Sequence, residues 1–480
     1  MLAIESIETN RGIQCFKEWI QKGNLIQANS IEDAKNQFIK ISGNKILFKG
    51  AVSAPRIEIQ TKLENVEIDV DGSLNADSIK LETNNAKVCL LQSTNILCTS
   101  FNVASSHSLI NYGIISGNDD LKFILNIDKF FNGNTGDIKA DNLIMKITGD
   151  LINYGKITSK NKIEMNLQNL ISPTFLVHKE MENHFGKSMK QIIAKVITLF
   201  AEKSIEDCSP LNAGTINLSA NEDIICEANT SWNCGKIKMK CNNFIIHGSA
   251  ELGDAKIVSK TVSTSSYGNV NIGLASIQTT DFELFGTWQC QNFVLKSITD
   301  ESIVTFLNEN KNDEIPESLK KIDNQNCKID EDGKLIAFDA TIFSRNLSNN
   351  GKIEVNNKLT IYAQNFQQEN DASVEGRNKL NIMAHSFPKL NGFIKSDDLE
   401  IKVFEKFSSL AMAEVEEVNV YLYNFQTSKF VLKNEMLINP DIQQNNAIFM
   451  GKTLEDEFEL TAETLKTMHL FNLRDMFQLM

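Results

Sequence analysis

Apolar and polar residues alternate along much of the chain, and the alternating runs recur behind a short glycine signal. The segment LINYG stands at 109–113 and again at 151–155, and the related LSNNG ends at Gly351. Apolar residues follow each of these glycines at offsets of 2, 8, 10 and 12 positions. After Gly155 they are Ile157, Ile163, Met165 and Leu167. Alternation indicates strands with one buried face, and the repetition indicates one structural unit stacked on copies of itself.

The core of the signal, Asn-x-Gly-x-Ile, occurs six times, and we predict that each copy forms a sharp corner between strands. Glycine can take a positive φ at such a corner, and asparagine can bond its own backbone in a turn. We expect the Asn side chains of neighbouring copies to stack, with Asn153 in line with Asn134 and Asn111. The predicted corner residues are Asn111, Gly113, Asn134, Gly136, Asn153, Gly155, Asn212, Gly214, Asn233, Gly235, Asn349 and Gly351.

Neighbouring copies of the signal stand roughly 20 residues apart, which is too short for a strand–helix–strand crossover. Such a unit fits one turn of a parallel β-solenoid, in which each turn contacts only the turns before and after it. The chain has only six prolines, which agrees with continuous pairing because proline cannot donate to a β-ladder. The predicted fold class is therefore all-β, a parallel β-helix (solenoid) of about 20-residue coils.

Three segments break the alternation. Apolar residues recur at helical spacing between positions 189 and 200, which predicts a helical insertion over 172–209. Residues 299–333 are polar and charged and predict a loop insertion. The amphipathic segment 436–480 predicts a C-terminal helical cap, because the open ends of a solenoid need protection. The predicted organisation is completed by an N-terminal cap and first coil over 1–44 and by three β-helix parts over 45–171, 210–298 and 334–435.

Composition and charge narrow the range of functions. Hydrophobic residues make up 42% of the chain and charged residues 23%, as in a folded protein. The net charge of −13 and the small share of arginine argue against a nucleic-acid partner, which calls for bidentate arginine contacts. No apolar stretch reaches the roughly 18 to 20 residues that span a bilayer, and the first residues lack the apolar region of a secretory leader. Taken alone, the chain predicts a cytoplasmic product, and the alternative is one piece of a longer exported protein.

Two groups of carboxylates are candidates for the polysaccharide lyase or hydrolase chemistry that parallel β-helices can host. They are Asp281 with Glu283, and Asp397 with Asp398 and Glu400. No arginine stands near either group in the sequence. We therefore interpret both groups as solvated strand faces and predict that the chain is not an enzyme.

Cysteine and aromatic residues are the remaining candidates for chemistry. The nine cysteines are scattered and odd in number, and most are interpreted as small buried hydrophobes. No zinc-site spacing joins Cys226, Cys234, Cys241 and His247, so we predict no metal and no cofactor. Four aromatic residues could stack on a sugar ring at an exposed corner, although such residues more often pack against the coils. They are Tyr112, Tyr154, Trp232 and Trp288.

The L-x-N-x-G-x-I signal with alternating strands resembles the haemagglutinin repeats of filamentous-haemagglutinin-like proteins. The resemblance is strongest over 108–168, 211–247 and 346–365. It implies a right-handed parallel β-helix in a secreted or surface-exposed bacterial stalk, used for adhesion or toxin delivery. The implied partner is a glycan or protein on a host or bacterial surface, and the implied form is a monomeric rod or part of a longer chain. The alternatives are a polysaccharide-active enzyme on the same fold and an intracellular scaffold.

Overall fold

The computed structural model is an all-β parallel solenoid of about 14 turns, about 20 residues apart along the chain. The predicted solenoid fold is thus confirmed. The chain divides into two compact units, Met1–Asn242 and Asn243–Met480. The structure describes residues 4–9, 12–14, 38–43, 46–53, 55–64, 67–171, 191–207, 210–227, 231–296, 326–369, 371–390, 392–407, 409–422, 427–432, 437–441, 446–452 and 457–461.

The first unit combines long strands with short strands of two to four residues. The strands are β1 (Ile4–Thr9), β2 (Gly12–Gln14), β3 (Phe38–Gly43), β4 (Ile46–Ser53), β5 (Arg56–Glu64), β6 (Glu67–Asn75), β7 (Ser78–Asn84), β8 (Lys87–Leu90), β9 (Asn95–Leu97), β10 (Ser100–Asn111), β11 (Ile114–Ser116), β12 (Asp120–Asn132), β13 (Asp137–Ile147), β14 (Asp150–Asn153), β15 (Lys156–Leu167), β16 (Leu170–Ile171), β17 (Gln191–Ala201), β18 (Ile205–Asp207), β19 (Leu211–Ala220), β20 (Asp223–Cys226) and β21 (Ser231–Ile246), the last of which runs past the unit boundary.

In the second unit, several strands are long because the chain bends within them without leaving the extended conformation. These strands are β22 (Ser249–Thr264), β23 (Asn269–Leu284), β24 (Thr287–Lys296), β25 (Asn326–Ile329), β26 (Lys334–Asn349), β27 (Lys352–Gln368), β28 (Ser373–Gly376), β29 (Lys379–Leu390), β30 (Phe393–Phe407), β31 (Ser409–Leu422), β32 (Thr427–Leu432), β33 (Leu437–Asp441), β34 (Asn446–Lys452) and β35 (Glu457–Thr461).

The core of each unit contains columns of aliphatic side chains that stack in register from turn to turn. In the first unit one column contains Leu121, Leu143, Ile163, Ile197 and Ile216. In the second unit one column contains Ile257, Ile277, Leu295, Ile342, Ile361, Ile382 and Ile401. All of these side chains are buried. Each contributes roughly 1.5–3 kcal/mol by leaving water, so a register slip would expose a whole column.

Antiparallel strands pair with the parallel ladder in both terminal regions. β1 pairs antiparallel with β2 and β3, whereas β3 pairs parallel with β5. β34 pairs antiparallel with β31 and β33, and β35 pairs antiparallel with β32. These strands cover sheet edges that would otherwise offer unpaired backbone groups. Strands β33 to β35 lie within the segment predicted to be a helical cap, and residues 462–480 of that segment lie outside the described residues.

The helix predicted over 172–209 differs from the structure, because residues 191–201 form strand β17. Its inward residues change parity within the strand: Ile192 and Ala194 point inward, and then Ile197 and Leu199 do so. This one-residue shift at a bend breaks the strict alternation and imitates helical spacing in the sequence. Residues 172–190 lie outside the described residues.

The polar loop predicted over 299–333 is shorter at its C-terminal end than expected. Residues 326–329 form strand β25, in which Cys327 and Ile329 are buried. A turn closed by the Gly333 amide and the Asp330 carbonyl, 2.8 Å apart, leads into β26. Two buried residues in a short polar segment give little periodic signal, so β25 was not predicted. Residues 299–325 lie outside the described residues.

Candidate functional site

Buried asparagines form a ladder at one corner of the first unit. The Asn111 Nδ2 donates to the Asn132 Oδ1 at 2.9 Å, and the Asn132 Nδ2 donates to the Asn153 Oδ1 at 2.9 Å. All three side chains have 0% exposure. In addition, the Gly113 amide donates to the Asn111 Oδ1 at 3.1 Å, which closes the turn locally. A buried amide without a hydrogen-bond partner is costly, so the ladder both pairs the buried side-chain amides at the corner and fixes the register of neighbouring turns.

The ladder contains Asn132, whereas the sequence predicted Asn134 at this place. The registers pair Asn132 with Asn111 and Asn153 at the ends of their strands. The corner that follows Asn132 is two residues longer than the one that follows Asn153, because Asp137 pairs with Lys156. Asn134 therefore lies in the extra loop, half-exposed, where its Oδ1 accepts from the Thr135 amide.

The corner glycines are required by close approach of neighbouring turns. A Cβ on Gly155 would lie 2.2 Å from the Gly136 carbonyl oxygen and 2.4 Å from that of Gly133. A Cβ on Gly351 would lie 2.2 Å from the Asp330 carbonyl oxygen. Neither glycine has the positive φ that we predicted. The absence of a side chain, and not backbone freedom, is what this corner needs.

The corner at Asn349 in the second unit has the same local construction. The Gly351 amide donates to the Asn349 Oδ1 at 3.2 Å, and the Asn349 Nδ2 donates to the Ser373 carbonyl at 3.1 Å. One turn later the buried Gln368 takes the equivalent position, and its Nε2 donates to the carbonyls of Ala372 and Phe393, each at 3.0 Å. A side-chain amide therefore bonds the corner in both turns, although the residue is Gln and the Asn-x-Gly-x-Ile pattern is absent in the second.

Two copies of Asn-x-Gly-x-Ile lie inside strands and not at a corner, contrary to the sequence prediction. They contain Asn212, Gly214, Asn233 and Gly235. The register pairs Leu211 with Ile192, which itself pairs with Ile157, so this copy begins after the corner. A Cβ on Gly214 would lie 3.2 Å from the Lys195 carbonyl oxygen, so the approach is looser than at Gly155.

The structure does not bring the two carboxylate groups together. Asp281 lies in a column with Asn326, whose Nδ2 donates to the Asp281 Oδ1 at 2.8 Å. Asp398 lies in a different column, opposite Lys379, with 2.8 Å between the Lys379 Nζ and the Asp398 Oδ2. Within the described part of the chain, no group of three or more His, Cys, Asp or Glu side chains could hold a metal ion.

The aromatic and cysteine candidates lie mostly in the core. Trp232 and Trp288 have 0% exposure and Tyr154 has 4%, so these three cannot stack on a sugar at the surface. The Trp288 Nε1 donates to the Thr264 Oγ1 at 2.7 Å, which satisfies it inside the solenoid. Tyr112 is half-buried and packs edge-on against Phe131, with ring centroids 6.3 Å apart.

Four cysteines that are free and buried carry thiols of raised pKa. Burial raises the pKa of Cys98, Cys290 and Cys327 to about 12 and that of Cys234 to about 11. The reactive thiolate is therefore suppressed at neutral pH, and these residues act as small apolar core residues.

A second ladder, which sequence reasoning missed, lies on the outer surface of the second unit. We call it the exposed amide column, and it contains Asp281, Asn326, Asn346, Asn365 and Ser386. Donor–acceptor distances along it are 2.8 Å from Asn326 to Asp281, 2.9 Å from Asn346 to Asn326, 2.8 Å from Asn365 to Asn346 and 2.7 Å from Ser386 to Asn365. The recurrence of Asn on alternating runs about 20 residues apart was the signal available in the sequence.

These features define the chain as a parallel β-solenoid with polar ladders inside its corners and along its outer surface. No protein-family model, no curated protein and no solved structure matches the chain. The resemblance to haemagglutinin repeats therefore stays a prediction. Among the residues that the structure describes, no helix is long and apolar enough to cross a bilayer.

Proposed function

We propose that this chain is a non-enzymatic structural and binding module, a right-handed β-helical segment of a bacterial surface or secreted stalk of the adhesin or toxin-delivery type. The observation that carries the proposal is the exposed amide column. Its polar side chains bond to their equivalents one turn away and so form a continuous row along the surface. Such an arrangement suits a regular surface that contacts a glycan or protein along its length.

The candidate carboxylates support a structural role. Catalysis of glycoside cleavage requires two carboxyl groups on either side of one bond, with one of them kept protonated. Asp281 accepts a ladder hydrogen bond, and Asp398 is paired with Lys379. The hydrogen bond from Lys328 also holds the pKa of the neighbouring Asp330 below its ordinary value, which keeps that carboxyl ionised. The ladder hydrogen bond and the ion pair hold Asp281 and Asp398 in separate columns, which supports a structural role for both side chains.

The proposed location is the cell surface or the extracellular space, and the basis is the repeat resemblance. The high cysteine content favours an intracellular scaffold. Burial of thiols in the core weakens that argument. Cys98 and Cys327 are buried, and burial raises the pKa of both thiols to about 12, so both are poor targets for oxidation. Protease treatment of intact cells of the source bacterium, followed by immunodetection, tests the location. Full protection from the protease in intact cells, with digestion after lysis, would favour the intracellular alternative.

A carboxylate variant tests whether the chain is an enzyme. The variant replaces Asp281, Asp397 and Asp398 with Asn and Glu283 and Glu400 with Gln. We expect binding to bacterial and host-type cells to be retained, and we expect neither protein to release reducing or unsaturated ends from a polysaccharide panel. Release by the unaltered chain that disappears in the variant would establish the polysaccharide-active alternative and refute the proposal.

A further inference from the structure

The exposed amide column has bonding capacity that its own ladder does not use. A carboxamide offers two N–H donors and two acceptor lone pairs. Asn326, Asn346 and Asn365 each donate one N–H to the preceding turn and accept one hydrogen bond from the following turn. All three side chains are exposed. One donor and one acceptor per rung therefore face water, and the rungs repeat at about 4.8 Å, the spacing of neighbouring strands.

The surroundings of the column are polar, with acidic and basic side chains interspersed among amides and hydroxyls. Two residues further along the same strands stand Glu283, Lys328, Ser348 and Gln367, which also point outward. Lys328 is neutralised by Asp330, with 2.8 Å between the Lys328 Nζ and the Asp330 Oδ2. From β26 onward, Ser348 and Gln367 continue this row with a hydroxyl and an amide, and the half-exposed Arg345 and His385 directly precede Asn346 and Ser386 in the chain.

This composition selects among classes of ligand. Protein interfaces are centred on clusters of buried aromatic and aliphatic anchors. Beside the column, the half-exposed Phe285 ring is covered by the Lys328 Nζ, 5.3 Å from the ring centroid, and the column itself is polar. Nucleic acids require rows of lysine or arginine to meet phosphate. A hydroxyl group both donates and accepts one hydrogen bond, which matches the unused donor and acceptor of each rung.

We propose that the exposed amide column is a docking surface for a neutral, hydroxyl-rich glycan chain. The inference rests on the proposed binding function and assigns it a site and a ligand class. Backbone pairing and the ladder itself hold the amides in place before binding, so little side-chain entropy is lost when a ligand docks. From Asp281 to Ser386 the column makes four steps, or about 19 Å at the inter-strand spacing, which presents several consecutive rungs to an extended oligosaccharide.

The test measures binding of neutral β-1,4-linked hexasaccharides of glucose, mannose and N-acetylglucosamine to the full chain by titration calorimetry. Asn346→Leu removes the polar groups of the central rung while keeping the number and branching of its side-chain heavy atoms. The matched control is Asn357→Leu, which breaks a separate ladder in which Asn357 donates to Asp339 at 2.8 Å and accepts from Asn378 at 3.0 Å. Thermal unfolding of both variants monitors the loss of ladder hydrogen bonds that they share.

We expect at least one hexasaccharide to bind, with affinity reduced roughly tenfold or more by Asn346→Leu and little changed by Asn357→Leu, since one or two ligand hydrogen bonds are lost. Equal effects of the two variants, or no effect of Asn346→Leu, would overturn the site. If the unaltered chain binds cells but no hexasaccharide, the glycan inference fails and the proposed function stands. If it binds neither, both fail.

Discussion

Alanine substitution at two glycines of the same sequence signal is predicted to destabilise the chain to different extents. Gly155 and Gly214 both occur in Asn-x-Gly-x-Ile, so the sequence treats them alike. In the structure, a Cβ on Gly155 would lie 2.2 Å from the Gly136 carbonyl oxygen, and a Cβ on Gly214 would lie 3.2 Å from the Lys195 carbonyl oxygen. The first contact requires backbone movement of two stacked turns, whereas the second requires a shift of only a few tenths of an ångström.

The expected magnitudes follow from these distances. Gly155→Ala should destabilise the first unit by about 1–3 kcal/mol, the usual cost of forcing atoms into a packed interior. Gly214→Ala should change stability by less than about 1 kcal/mol. Alanine loses less conformational entropy than glycine on folding, and this gain offsets the strain of the close contact.

Hydrogen exchange measured by mass spectrometry is the assay, since a long repeat chain need not unfold in two states. Each turn contacts only its neighbours, so Gly155→Ala should accelerate exchange over 132–167 and leave the turn around Gly351 protected. Similar effects of the two substitutions, or uniform acceleration along the whole chain, would refute the argument from close approach.

Two further predictions concern buried groups. Asn132→Leu should destabilise the first unit by about 2–4 kcal/mol, because it leaves the amide groups of Asn111 and Asn153 that bond to Asn132 buried without their partner. Asn134→Ala should cost under about 1 kcal/mol. Equal losses of stability in chemical denaturation would contradict the ladder assignment. Burial raises the pKa of Cys327 from 9.0 to about 12, so the stability that comes from burying the neutral thiol is fully present below pH 9 and is lost as pH rises toward 12. A disulfide reagent should leave this thiol unlabelled in the folded chain at pH 8. Rapid labelling without unfolding would contradict its burial.

The local corner signal determined much of the solenoid. The residues at offsets 2, 8, 10 and 12 after Gly113, Gly155 and Gly351 are all buried. That success has a simple cause, because the side-chain period of a strand is two and a hydrophobic inner face must show it. The sequence likewise indicated that Asn and Gly would mark a crowded corner at Asn111, Asn153 and Asn349.

Only the tertiary structure determined where each Asn-x-Gly-x-Ile pattern lies within a turn. Alternation and a glycine indicate that a strand has an inner face, but its position is set by hydrogen bonds to the neighbouring turn. The same five-residue pattern is therefore a corner at Gly155 and mid-strand at Gly214, and Asn132 replaces Asn134 because the pairing of Asp137 with Lys156 leaves two extra residues in the loop. Register is a non-local property, and a one-residue difference in it reverses which side chains face the core.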